Sequence, residues 1–262
     1  MGERTSHPPG TFSWVDLATT DAAGAKRFYG ELFGWEFEDS PVGEGVVYTM
    51  CRVGGKEVCA LSEQGEQERS VGIPPHWNNY VTVDDVDALT TRARELEANV
   101  AMDPFDVMDA GRMSVVADPT GAFFSMWQPR GHIGARLVNV PGALTWNELA
   151  TKDVERAKEF YGALFNWGFE AIDGGGGMQY TLIRNSDRSN GGIREQSEIE
   201  AGIPPNWVPY FAVDSVDDSV AKAGELGGRV LVQPMTVPAG RFAAIGDPQG
   251  AVFAVFEGDF DD

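Results

Sequence analysis

The chain contains one sequence written twice. Trp14, Asp21, Ala25-Lys26, Phe28-Tyr29-Gly30, Leu32-Phe33 and Trp35 return, at one constant spacing, as Trp146, Asp153, Ala157-Lys158, Phe160-Tyr161-Gly162, Leu164-Phe165 and Trp167. Gly72-Ile73-Pro74-Pro75 with Trp77 returns as Gly202-Ile203-Pro204-Pro205 with Trp207. Gly111-Arg112 returns as Gly240-Arg241, and Asp118-Pro119-x-Gly121-Ala122 as Asp247-Pro248-x-Gly250-Ala251. Two copies of one domain are therefore expected, residues 1–130 and 131–262, each long enough to bury its own core.

Within a copy the periodicity changes twice. Phe12–Leu17 reads as a strand, Asp21 as a helix N-cap, and Ala25, Phe28, Tyr29, Leu32 and Phe33 recur at helical spacing up to a stop at Gly34. Three strands are expected near Trp35–Glu38, Val46–Cys51 and Glu57–Leu61, then a polar connector, Ser62–Pro75. The pattern restarts with a strand at Asn79–Val83, a helix at Asp85–Leu96 and strands near Val100–Met102, Met113–Ala117 and Phe123–Trp127. Each copy is thus β-α-β-β-β twice. Gln128–Pro141 links the copies, the second runs from Leu144 to Phe256, and Gly258–Asp262 reads as a frayed acidic tail.

Composition narrows the partners. A formal charge of −20 leaves no basic face for nucleic acid or for an anionic membrane. With 42% hydrophobic residues and no run of about 20 apolar positions, no membrane span is expected, and a start without an apolar signal core points to the cytoplasm. Cys51 and Cys59 flank Gly54-Gly55 and are expected as reduced, half-buried thiols facing each other across a hairpin. His7, His76 and His132 have no metal-ligand spacing, and Gly174–Gly177 reads as a turn rather than a phosphate loop.

Asp21-x-x-x-Ala25-x-x-Phe28-Tyr29-x-x-Leu32-Phe33-Gly34-Trp35, followed later by Asp118-Pro119-x-Gly121-Ala122 before a last strand, resembles the vicinal oxygen chelate superfamily of glyoxalase I, bleomycin-resistance proteins and extradiol dioxygenases. The Trp14-Val15-Asp16-Leu17 opening and the Gly-Ile-Pro-Pro-x-Trp connector are similar to bacterial two-domain glyoxalase-like proteins labelled as hydroxylases, relatives of which assist antibiotic-pathway oxidations. The resemblance covers both copies. It implies an α+β fold of four βαβββ units forming two cup-shaped mixed sheets, and a monomer with an internal pseudo-dimer, or a homodimer.

The resemblance also implies where a metal would be held. The first-strand position falls on Trp14 and Trp146, the fifth-strand position on Asn78 and Val208, and the last-strand position on Ser125 and Ala254. Metal sites need nitrogen or oxygen donors converging on one point. None of these six is His, Asp or Glu, so no metal and no other cofactor is expected.

Alternation along the strands gives the cup lining instead. Phe12, Trp14 and Asp16 share a face on the first strand, and Leu144, Trp146 and Glu148 do so in the second copy. Tyr48, Asn78, Tyr80, Ser125 and Trp127 join the first cup; Tyr180, Tyr210 and Phe256 join the second. These aromatics either fill the cups or bind a flat ligand. Asp16 and Glu148 are candidate acid–base groups, or carboxylates paired with a strand neighbour or with Arg112 and Arg241. The two arginines clamp an anionic or carbonyl group, or pair with Asp16, Glu148 or Asp109. Trp77 and Trp207 are expected to pin the connectors.

The leading expectation is a metal-independent protein that binds a small aromatic metabolite or antibiotic-like compound. The alternative is a hydroxylase, isomerase or lyase working through Asp16 or Glu148. A metal-dependent dioxygenase with ligands elsewhere ranks below both.

Overall fold

The computed structural model describes residues 2–43, 45–175, 179–258 and 260. The first half contains β1 (Phe12–Thr19), α1 (Ala22–Phe33), β2 (Glu36–Gly43), β3 (Val46–Val53), β4 (Lys56–Glu63), α2 (Glu66–Ser70), β5 (His76–Thr82), α3 (Val86–Glu95), β6 (Asn99–Val107), β7 (Gly111–Ala117) and β8 (Phe123–Pro129). The second half repeats the order as β9 (Leu144–Thr151), α4 (Val154–Phe165), β10 (Gly168–Asp173), β11 (Gln179–Asn185), β12 (Arg188–Glu195), a 3-10 turn at Glu198–Glu200, β13 (Asn206–Ala212), α5 (Val216–Glu225), β14 (Arg229–Val237), β15 (Gly240–Gly246) and β16 (Val252–Gly258). The short helix α2, inside the expected connector, is the one added element of the first half. Gly174 and Gly175 follow β10, whereas Gly176 and Gly177 lie outside the described residues, as do Asp259, Asp261 and Asp262 of the expected tail.

Each half builds one eight-stranded sheet, β2-β3-β4-β1-β5-β8-β7-β6 and β10-β11-β12-β9-β13-β16-β15-β14. β1 runs parallel to β4 and antiparallel to β5, and β5 runs parallel to β8, so two βαβββ units meet at the β1–β5 seam. The right-handed twist of such a sheet curls it into a half-barrel. The fold is α+β, with two tandem cups. No described helix is long and apolar enough to cross a membrane.

The helices follow from their caps. Asp21 accepts the N–H of Gly24 at 2.8 Å, and the chain leaves α1 through Gly34 at φ 70°. Asp153 caps α4 in the same way, with Asn166 at φ 58° as the left-handed exit. Phe28 and Tyr29, and in the copy Phe160 and Tyr161, occupy the buried stripe.

Those stripes cross between halves. Phe28, Tyr29 and Phe33 of α1 pack against Phe211 and Phe253 of the second sheet. Phe160, Tyr161 and Phe165 of α4 pack against Phe124 of the first. Tyr29 Oη donates to Asp247 Oδ2 at 3.0 Å, and Tyr161 Oη to Asp118 Oδ2 at 2.8 Å. The other oxygen of Asp118 accepts the N–H groups of Thr120, Gly121 and Ala122. The Asp-Pro-x-Gly-Ala repeat is therefore a closed turn that receives the helical Tyr of the opposite half. Trp35 Nε1 donates to Gly142 O at 2.7 Å, and Trp167 Nε1 to Gly10 O at 2.8 Å.

Three expectations change here. Trp77 and Trp207 lie in the inter-half core, with Trp207 Nε1 donating to Tyr161 Oη; the connectors are pinned by Gln64 Nε2 on Ile73 O and Pro74 O, and by Gln196 on Ile203 O and Pro204 O. Cys51 and Cys59 are opposite in the β3–β4 ladder and free, but fully buried rather than half-buried. Phe12 leaves the cup face. The β1–β5 register shifts between Phe12 and Trp14, and this bulge turns Phe12 into the inter-half core against Trp167 and Trp207. A matching shift sends Leu144 to the core of the other side.

Candidate functional site

In the first cup three donors from two strands, β5 and β3, converge on one carboxylate. Asn78 stands opposite Asp16 in the β1–β5 ladder, and its Nδ2 donates to Asp16 Oδ1 at 2.8 Å. Tyr80 Oη and Tyr48 Oη donate to Oδ2 at 2.8 and 3.0 Å. Trp14 Nε1 donates to Tyr48 Oη at 3.0 Å and so orients that hydroxyl. Asp16 is 7% exposed. Burial raises its pKa above the ordinary carboxylate value, against the opposing pull of the hydrogen bonds from Asn78, Tyr80 and Tyr48. Burial, reinforced by the Asp16 charge, pushes both phenols well above their usual range, so they remain donors.

Trp127 and Ser125 of β8 and Met113 of β7 complete the wall, with Ser125 beside Tyr80 in the parallel ladder. Tyr48, Met50, Asn78 and Met113 are only partly buried and form the accessible side. The surface is aromatic and sulfur-bearing, with polar atoms confined to its floor. Such a surface suits a flat ligand.

The second cup keeps the frame and changes the chemistry. Trp146 Nε1 donates to Tyr180 Oη at 2.9 Å, and Tyr180 and Tyr210 face Glu148. Tyr180 fits because position 192 is Gly; a Cβ there would stand 1.9 Å from its hydroxyl. Val208 replaces the donor at the Asn78 position. Arg194 of β12 supplies the missing polarity: its Nε donates to Glu148 Oε1 at 2.9 Å, while its two terminal nitrogens hold Glu200 at 2.8 and 2.7 Å. These bonds from Arg194 hold the Glu200 carboxyl down to about 2. Phe242 and Phe256 finish this wall.

Trp14, Asp16, Tyr48, Asn78, Tyr80, Ser125 and Trp127 thus meet in one cup, and Trp146, Glu148, Tyr180, Tyr210 and Phe256 in the other. Arg112 and Arg241 enter neither. Met113 and Phe242 face the cups, so alternation puts each preceding arginine on the helix side. Arg112 pairs bidentately with Asp87 at 2.8 Å and reaches Asp106 at 3.1 Å; Arg241 pairs with Asp217 at 2.6 and 3.0 Å. Sequence reasoning missed Arg194, which alternation along β12 would have found two places after Gly192.

The sequence profile of the Glyoxalase/Bleomycin resistance protein/Dioxygenase superfamily matches residues 11–126 and 143–255. The chain belongs to this superfamily. It is 43% identical, over 98% of each chain, to a Mycobacterium tuberculosis protein named "Putative glyoxylase CFP32". It is 36% identical to the anthracycline biosynthesis protein DauV of Streptomyces sp. strain C5, over 97% of this chain and 95% of that one. The Mn(II)-bound glyoxalase of Novosphingobium aromaticivorans shares the fold, with a TM-score of 0.64 at 20% identity over 100% of this chain and 86% of that one.

Glyoxalase-superfamily cups are associated with a divalent metal, and the donor set here does not fit one. Among the described residues no group of three His, Cys, Asp or Glu side chains stands ready to hold a metal ion. In the first cup the carboxylate of Asp16 already receives three N–H and O–H groups, which a cation would have to displace. In the second cup a guanidinium occupies the place beside the carboxylate where a cation would sit.

Proposed function

We propose that the first cup binds a small planar polycyclic aromatic molecule, of the kind found in anthracycline-type polyketides, without a catalytic metal. The observation that carries this reading is the floor of the cup. A buried carboxylate is held by three uncharged donors beneath aromatic walls, with no Lys or Arg ion pair to it among the described residues. Aromatic rings gain from stacking on Trp14 and Trp127, and a polar edge of the ligand can exchange hydrogen bonds with Asn78, Tyr48 or Asp16. The relationship to an anthracycline biosynthesis protein, along nearly the whole length of both chains, supports that ligand class. The second cup is the structural partner, because Arg194 already occupies its polar floor.

A second reading rests on the same residue. A carboxyl whose burial raises its pKa is suited to give and take a proton at an aromatic hydroxyl or ketone. The cup would then assist an oxidative or isomerising step as well as hold the substrate, with Tyr48 and Tyr80 as hydrogen-bond donors to the charge that develops.

Tryptophan fluorescence titration against a panel of anthraquinones tests the binding reading. Saturable quenching is expected, weakened about tenfold, or ~1.4 kcal/mol, by Trp14→Ala. No saturable quenching by any planar polycycle would remove it. Asp16→Asn separates the readings: retained affinity with lost turnover of the same ligand indicates proton transfer, and equal turnover rules it out.

A further inference from the structure

The second cup holds a cation beside its buried carboxylate, and the first cup has the same frame without it. Arg194 Nε donates to Glu148 Oε1 at 2.9 Å, and its terminal nitrogens meet Glu200 Oε2 and Oε1 at 2.8 and 2.7 Å. Ser62 is the counterpart of Arg194. It pairs with Ala18 of β1 and Tyr48 of β3, as Arg194 pairs with Ala150 of β9 and Tyr180 of β11. The neighbours on those strands are therefore identical in the two cups, and only the residue between them differs. Serine ends at its hydroxyl, so no side chain of β1, β3 or β4 takes the place of the guanidinium.

Both acids that would flank that place are present. Glu68 Oε2 accepts Gly65 N–H at 3.0 Å, just as Glu200 Oε2 accepts Ser197 N–H at 2.9 Å, so the two carboxylates are fastened to the same backbone position. Glu200 is neutralised by Arg194, whereas Glu68 has no ion pair among the described residues. Asp16 Oδ1 receives Asn78 Nδ2 alone, which leaves it a second lone pair. An ammonium is itself a hydrogen donor and can use that lone pair without displacing Asn78. His76, at the near end of β5, is turned to the connector instead: its Nδ1 lies 2.9 Å from Pro74 O, in the bond that Asn206 Nδ2 makes to Pro204 O at 2.9 Å.

The place is also open and within reach. Ser62, Glu68 and Asn78 are all partly exposed. Along β1 the cup face runs Trp14, Asp16, Ala18. At the Trp14 end the linker packs on the strand, with Ala135 N donating to Ser13 O at 2.7 Å and the His132 ring edge-on to Trp14, ring centres 4.6 Å apart. Ser62 stands at the Ala18 end. A ring system seated on Trp14 and Trp127 therefore directs a substituent past Asp16 toward Ser62 and Glu68.

We infer that the first cup selects planar aromatics bearing a basic amine, whose ammonium lies between Asp16 and Glu68 where the second cup holds the guanidinium of Arg194. This rests on the binding reading above and adds the chemistry of recognition. The ligand supplies the cation that the chain supplies for itself in the other half.

The test compares 2-(aminomethyl)anthraquinone with its neutral N-acetyl derivative by tryptophan quenching at pH 7. In the wild type the amine is expected to bind about tenfold tighter, the scale of a hydrogen bond between charged groups. Glu68→Gln keeps an oxygen for Gly65 N–H; it should remove most of that preference and leave the affinity for the acetylated compound unchanged. Because a chain of net charge −20 attracts any cation, Glu225→Gln on α5 makes the same change of charge away from the cup and should leave the preference intact. Ser62→Arg, which restores the cation in place, should abolish it. Equal affinities in the wild type, a preference that survives Glu68→Gln, a parallel loss of both compounds in that variant, or an equal fall in Glu225→Gln overturns the inference while leaving the binding reading in place. Binding of neither compound to the wild type removes both.

Discussion

Three donors converge on Asp16 without a formal charge among them, whereas Arg194 places a full positive charge against Glu148. The same position in two copies therefore answers burial in two ways. For Asp16 the desolvation of the anion wins, and the carboxyl holds its proton to higher pH than it would in water. Between the ordinary carboxylate value near 4 and the raised native value, the folded chain keeps a proton that the unfolded chain has released. Asp16 thus contributes stability that is fully present below that window, is lost as pH rises through it, and changes no further above it. Asp16→Asn removes this dependence. The difference in unfolding free energy between wild type and variant should fall with rising pH across the window, with a slope of at most about 1.4 kcal/mol per pH unit. Urea midpoints measured at intervals from pH 4 to about 8 check it, and a difference that stays constant with pH contradicts the account. Glu148 depends on its ion pair with Arg194. Arg194→Met leaves its carboxylate without a cation and should cost about 2–4 kcal/mol, somewhat below the value for a fully buried pair because the arginine keeps 22% of its side chain exposed. Thermal unfolding reads this directly.

At the level of strands and loops, the copies differ by one latch. Ser62 in the β1–β4 ladder stands where Arg194 stands in the β9–β12 ladder, and Glu68 binds back to Gly65 as Glu200 binds to Ser197. The connector of the second half is thus tied through Arg194 to its cup, and that of the first half is not. Ser62→Arg should install the tie onto Asp16 and Glu68, close the first cup and weaken ligand binding tenfold or more, while Arg194→Ser leaves binding in the first cup unchanged; fluorescence titration of both variants decides this. How far such features were legible depends on their physics. Helix caps are local, so Asp21 and Gly34 were readable in place. The side chains that meet Asp16 follow from alternation plus register, so Tyr48, Asn78 and Tyr80 were readable too. The bulge that takes Phe12 out of the cup is not, because Phe12 and Trp14 have the same parity and only the pairing with β5 breaks it. Arg112 was misplaced because the face it takes depends on where β7 begins. His132 lies on an aperiodic linker, and its place is set by backbone bonds to Ser13, Glu57 and Ala110 that no local pattern announces.

Across the whole molecule, the repeat is used for more than doubling. α1 buries Phe28 and Tyr29 on the opposite half's sheet, and α4 returns the exchange with Phe160 and Tyr161. The sheets touch at their centres, where Asn147 Nδ2 donates to Asn79 Oδ1 at 2.6 Å and Asn79 Nδ2 to Trp207 O at 3.2 Å. Neither half then owns a complete core. The expectation of two units with separate cores is replaced by two sheets that share their cores, a consequence of aromatic motifs whose partners sit in the other copy. Large aromatic side chains lost from such a core cost about 3–5 kcal/mol each, so one half without the other would expose more than a domain of this size can sustain. Heating should therefore unfold the chain in one step, with calorimetric and van't Hoff enthalpies equal. Tyr29→Phe removes a hydrogen bond to the buried Asp247 carboxyl and should lower the stability of both halves together by about 1.5–3 kcal/mol, moving a single transition rather than splitting it. Two resolved transitions in the wild type, or a variant in which one half melts early while the other keeps its temperature, would mean that the halves fold independently and that the crossed helices are not what binds them.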